Sequence, residues 1–249
     1  MKQMIRNNLK YLIFLFVSGL VGGYFTAIYS IQGISQEMLD EAIAQAGSLN
    51  VVILASTVQS IGYTLILGII GKILAKKIGL WRKIEFTNEA IRELLLVTIV
   101  GGIVFIMADH LVFNNFSEVI KNSYAVKPTF EYIIASLTYG GVVEEIMLRL
   151  FFMSLIAFII QKIGKKEETS NKILVIANII VAMLFAAGHL PATAMTIGLT
   201  PIIVLRCFLL NGGFGLLFGR LYRKYGIHYA MLAHAGVHIV SKLIWIFLV

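Results

Sequence analysis

The chain has 249 residues, 59% of them hydrophobic and 14% charged, with a mean hydropathy of +0.88. A soluble domain carries roughly 45–50% apolar and about 25% charged residues, so this composition excludes a water-soluble globular protein and indicates an integral membrane protein. The formal net charge of +8 calls for no nucleic-acid partner, because basic residues held at the cytoplasmic surface of a membrane protein give the same excess.

The apolar runs are too long and too little alternating for barrel strands. The expected fold class is all-α: a polytopic membrane bundle of about seven (seven or eight) transmembrane helices around an intramembrane polar cavity. The lone Cys207 has no internal disulfide partner and reads as a small packing residue.

In chain order, Lys2, Arg6 and Lys10 precede span one, about 11–31. That run lacks a small-x-small cleavage pattern and is read as an uncleaved first helix. Residues 34–49 carry Glu37, Asp40 and Glu41, with Met38, Leu39, Ile43 and Ala46 at helical spacing, which predicts a short helix on the membrane surface. Span two, about 50–71, runs into Lys72, Lys76, Lys77, Arg82 and Lys83. Span three, about 93–113, carries Asp109 and His110 near its end, and a polar loop from Asn114 to Lys127 leads to Pro128. Span four, about 130–160, would measure about 45 Å as an α-helix against a hydrocarbon core of about 30 Å, which a tilt or a break near Gly140-Gly141 would accommodate; a split would upset the charge pattern downstream, so one long helix is expected. Span five, about 173–194, holds His189, and Pro191 is expected to end or kink it. Span six, about 199–222, ends in Arg220, Arg223 and Lys224; span seven is about 228–248.

Basic residues orient this scheme. With the N-terminus inside, sixteen Lys and Arg fall on the cytoplasmic side and two, Lys121 and Lys127, outside. The expected location is the cell membrane, multi-pass, N-terminus cytoplasmic and C-terminus outside. Arg149, Arg206 and Lys242 remain within spans. Arg206 is expected to pair inside the bundle, and Lys242 to snorkel or sit at a helix interface. Residues 1–129 read as N-terminal helices and loops, and 130–249 as the part that carries chemistry, in one membrane domain.

Span four contains Glu144, Glu145 and Arg149 within six positions. A charge at membrane depth costs roughly 2.5–3.5 kcal/mol on insertion scales, so three together need a purpose. Glu145 and Arg149 are four apart and share a helix face. Glu144 is rotated by about 100° and points elsewhere. The pattern gives one structural and one working carboxylate. An ion-pair network that only fixes helix packing would also account for it. Span five adds Phe185 and His189 on one face; span seven adds His234 and His238, four apart. No Glu follows His234, so the HExxH pattern is absent. Each histidine alone reads as a hydrogen-bonded packing residue. Together these groups need one another, because a polar group buried in lipid needs a partner.

A carboxylate beside histidines acts as a general base on water, and an imidazole holds an oxyanion. The predicted reaction is peptide-bond hydrolysis by Glu-activated water. A zinc site made of Glu144, His189, His234 and His238 is the alternative.

Glu144-Glu145-x-x-x-Arg149, then Phe185-x-x-x-His189, then His234 with a polar residue four on, resembles the CAAX-protease and bacteriocin-processing family of intramembrane endopeptidases, in its prokaryotic branch. The stretch from Gly215 through Phe218, Gly219 and Tyr222 to Gly226 resembles the lead-in to that family's last motif, and the resemblance covers roughly 130–240. It implies an active site inside the membrane, with Glu144 activating water, His189, His234 and His238 beside it, and Glu145, Arg149 and Phe185 shaping the site. It implies a metal-independent glutamate protease with no cofactor. His238 stands where the family usually has Asn. The expected partners are a membrane-associated peptide or protein substrate and the lipid bilayer. A non-catalytic bacteriocin-immunity or peptide-binding membrane protein is the second reading. A small transporter component is the third, and the absence of internal repeats counts against it.

Overall fold

The computed structural model describes the backbone of residues 2–248 and their side chains except those of 2–5, 7 and 248, so the basic Lys2 counted above lies outside the described side chains. The polar punctuation between apolar runs starts the helices. Ser35, Ser48, Thr87, Thr129, Ser170 and Thr200 each accept a backbone N–H from three residues ahead, as N-caps do.

The helices are α1 (Lys2–Gly33), α2 (Gln36–Ala46), α3 (Leu49–Lys77) and α4 (Asn88–Leu111). A 3-10 turn (Phe113–Asn115) and the short α5 (Glu118–Ser123) fold the segment expected to be loop. The sixth helix, α6, spans 130–163; α7 is Asn171–Thr196, α8 is Pro201–Tyr225 and α9 is Ile227–Leu248. Helix α2 buries no residue, as a surface helix should. Gly226, at φ 98°, makes the tight turn between α8 and α9 that a side chain would strain.

Among the described residues six helices are long and apolar enough to cross a membrane: Asn8–Gly33, Leu49–Lys77, Asn88–Asn115, Asn171–Thr196, Pro201–Tyr225 and Ile227–Phe247. Helix α6 covers the stretch expected as span four. It does not break at Gly140-Gly141. Its ends are α-helical, but Ser136–Glu144 and Ile146–Met153 are wound as π-helix, and the joints at Ser136, Glu145 and Ser154 keep right-handed helical angles. A π-helix closes i→i+5 bonds and puts more residues into each turn. The segment is thus one long helix, as expected, and the winding takes up part of its length. Helix α7 does not end at Pro191 but continues through it to Thr196. The Thr193 hydroxyl donates to the His189 carbonyl at 2.8 Å across this turn.

Helix α6 lies at the centre and packs against α1, α3, α7, α8 and α9. The apolar windows of α7, α8 and α9 are 44, 44 and 39% buried, against 28, 22 and 22% for α1, α3 and α4, so the core belongs to the later half. Its interior includes Leu150, Met153, Val181, Phe214, Phe218, Tyr222, Tyr229 and Val237. Small residues bring backbones close, as membrane helix pairs require. Gly19 and Gly23 of α1 meet Thr64, Ser60 and Thr57 of α3. Gly219 of α8 faces Asn178 of α7, whose amide donates to the Leu216 carbonyl at 3.0 Å. A Cβ there would overlap the Asn178 side chain, so Gly219→Ala is expected to lose about 1–3 kcal/mol. A thermal melt in detergent measures this; an unchanged Tm would mean that α7 and α8 tolerate separation.

Both ends of the bundle are clasped. At one, Asp109, 1% exposed, receives Arg206 through Nε and Nη2, and the Tyr124 hydroxyl at 2.7 Å. Arg206 thus pairs within the bundle, as expected. The Trp245 indole donates to the Tyr124 carbonyl, and Lys127 donates to carbonyls at the C-terminal end of α9. At the other end, Glu93 of α4 receives Arg220 at 2.6 Å and Lys224 at 2.9 Å from α8.

Candidate active site

The site is built from the π-wound part of α6 outward. Glu145 and Arg149 are buried, at 0 and 1% exposure. Arg149 Nη1 lies 3.1 Å from Glu145 Oε1, although not aimed as a hydrogen bond, and Nη2 donates to the Gly215 carbonyl at 3.2 Å. The guanidinium lies over the Phe185 and Phe218 rings at 4.7 and 5.6 Å, which suits a delocalised cation. Gly215 lets the α8 backbone come this near, since a Cβ there would sit 3.0 Å from Ala182 and 3.3 Å from Arg149 Nη2.

The same Glu145 oxygen holds His234, whose Nδ1 is 2.8 Å away. A carboxylate only accepts, so Nδ1–H donates and the neutral ring has a bare Nε2. That Nε2 faces Glu144 Oε2 at 4.0 Å. Phe218 stacks on one side of the His234 ring (4.5 Å, 19°) and His238 on the other (5.0 Å, 30°), which fixes the plane.

His189 is set by the same rule. Its Nδ1 lies 2.8 Å from the Phe185 carbonyl, which also only accepts, so the neutral ring's Nε2 is bare. That Nε2 is 4.0 Å from Glu144 Oε1. Phe185 presents its ring at steep angles to both imidazoles, at 4.7 Å from His189 and 5.9 Å from His234. Glu144, with a side chain 20% exposed, therefore has one imidazole nitrogen opposite each oxygen. A gap of 4.0 Å is too long for a direct hydrogen bond and is the kind of separation that a bridging water spans.

His238 joins through its stack on His234 and through Gly140. A Cβ on Gly140 would lie 3.2 Å from His238 Nε2 and 3.7 Å from His234 Nε2, so the absent side chain leaves a notch that both nitrogens face. The seven residues singled out in the sequence, Glu144, Glu145, Arg149, Phe185, His189, His234 and His238, therefore meet in one place. Sequence reasoning missed Phe218 as the plate under His234, Gly215 as the acceptor of Arg149 and Gly140 as the notch. The glycines at 215 and 219, four apart and flanking Phe218, are a small-residue stripe that could have marked the first two.

Glu144, His189, His234 and His238 were the set named for zinc. Among the described residues no group of three or more His, Cys, Asp or Glu has an arrangement that would hold a metal ion.

Residues 127–240 match the family model described as type II CAAX prenyl endopeptidase, Rce1-like. The matched segment contains all seven site residues. No curated protein and no solved structure matches the chain.

Proposed function

We propose, from the match of residues 127–240 to the Rce1-like CAAX prenyl endopeptidase model, that this multi-pass membrane protein is a glutamate endopeptidase that cuts a membrane-associated or secreted peptide or tail. The observation that carries the reading is Glu144 held between two imidazole nitrogens, each 4.0 Å from one of its oxygens. Glu144 takes a proton from a water bridged to an imidazole Nε2, and the oxygen attacks the scissile carbonyl carbon. The carbonyl oxygen becomes an oxyanion and accepts an N–H. The C–N bond then breaks, and Glu144 returns its proton to the leaving nitrogen. Glu145 and Arg149 touch no reacting atom in this scheme. They hold His234 in the tautomer whose Nε2 faces Glu144.

The test is mass spectrometry of new chain termini in cells carrying the wild type or Glu144→Gln at matched expression. Termini that vanish in the variant identify both the activity and the substrate. Unchanged termini together with an unchanged cellular phenotype would sink the reading in favour of a non-catalytic immunity or binding role. His238 at the usual Asn position is what keeps that second reading in view. Prolonged chelation with 1,10-phenanthroline is expected to leave turnover of the purified protein unchanged. A loss restored by added zinc would overturn the metal-independent scheme.

A further inference from the structure

Lys242 lies one helical turn beyond His238 and just outside the segment that matches the family model. It does not snorkel: it is 4% exposed. Its Nζ is 3.5 Å from His238 Nδ1 and 4.2 Å from the centre of the Tyr132 ring. A buried ammonium in a membrane helix is costly and by default marks a function. Its neighbours indicate what that function is.

In its charged form Lys242 has three N–H groups and no lone pair, so it can only donate to Nδ1. The face of Tyr132 favours the charged form, because the ring quadrupole attracts a cation. An Nδ1 that accepts carries no proton, so the neutral His238 ring carries its proton on Nε2. This is opposite to His234, whose Nδ1–H donates to Glu145 and whose Nε2 is bare. Both Nε2 atoms face the Gly140 notch. The stacked pair thus presents one acceptor and one donor to the same point.

We propose that Lys242 is a positioning residue that locks His238 in its Nε2–H tautomer and so makes His238 the oxyanion donor; the donor role rests on the protease reading above. Lys242 touches no substrate in this arrangement and acts only through the ring. An amide side chain always carries N–H groups and needs no such lock. His238→Asn should therefore free the site from its dependence on Lys242.

The experiment uses the full chain in bilayers, labelled with 15N-histidine. Only five histidines are present, and His238→Asn assigns the signal of interest. Nitrogen shifts separate a protonated from a bare ring nitrogen. The wild type is expected to show Nε2–H at His238, and Lys242→Met to shift the proton toward Nδ1. Lys242→Met replaces a buried cation with an apolar chain of similar length, so folding is expected to survive. In cleavage assays it should lower kcat about 10-fold or more at unchanged KM, as loss of an oxyanion donor does. The same substitution in a His238→Asn background should cost nothing further, and Lys242→Arg, which keeps a donor, should retain activity. Nδ1–H in the wild type, an unmoved tautomer in Lys242→Met, or an equal loss in both backgrounds would each overturn the proposal. The spectrum decides the tautomer without any cleavage. A wild type that shows Nε2–H but cleaves no better than Glu144→Gln would overturn the donor role together with the protease reading.

Discussion

Glu144→Gln in bilayer-reconstituted protein is expected to lower turnover by about 10^2–10^4-fold, the range for removing a general base, with substrate KM and Tm unchanged. Glutamine has the shape of glutamate but no basic oxygen to take the water's proton. The structural cost is small because Glu144 makes only 4.0 Å approaches to its two histidines and remains partly exposed. Initial rates on the substrate found by terminus mapping, paired with a melt of the same sample, separate chemistry from folding. Wild-type rates in the variant would remove Glu144 from the reaction. A lowered Tm would mean that it belongs to the packing after all.

Arg149→Met is expected to fail in the opposite way, first in stability. It leaves the Glu145 carboxylate fully buried without its guanidinium, and breaking a buried pair by removing one partner costs about 3–5 kcal/mol. His234 could answer only by becoming an imidazolium, which would occupy its bare Nε2 and take that acceptor from the site. Turnover should therefore fall as well. Adding Glu145→Gln removes the stranded charge, so the double variant is expected to recover most of the lost stability. Thermal melts of the three proteins in one detergent check this. A single variant as stable as wild type would show that the pair is dispensable to the fold.

The spans were readable because lipid imposes one rule, that backbone polar groups bond within their own segment, and apolar length reports it directly. The Glu145–Arg149 pair was readable because four residues along a helix is a fixed geometry. The π-winding of α6 was not, since the same apolar run fits an α-helix equally well. Whether α7 ends at Pro191 was not readable either: sequence shows the lost N–H but not the packing that carries the helix on to Thr196. Gly215 was hidden because its contribution is a carbonyl, which every residue possesses. Lys242 was ambiguous because snorkelling and burial start from the same side chain, and only the position of His238 and Tyr132 selects between them.

The pairing of Glu145 with Arg149 inside one helix has a consequence for biosynthesis. When α6 leaves the ribosome, Gly215 is still 66 residues from Arg149 and His234 is 89 residues from Glu145. The nascent helix must enter lipid before either exists, and it carries its own counterion one turn away. Asp109 in α4 differs, because the arginine that holds it lies 97 residues downstream. One helix is ready for the bilayer on emergence, while the other must wait beside the translocon, or insert with its carboxyl protonated, until α8 arrives. The order in which the chain is synthesised thus decides which of its buried charges can look after themselves.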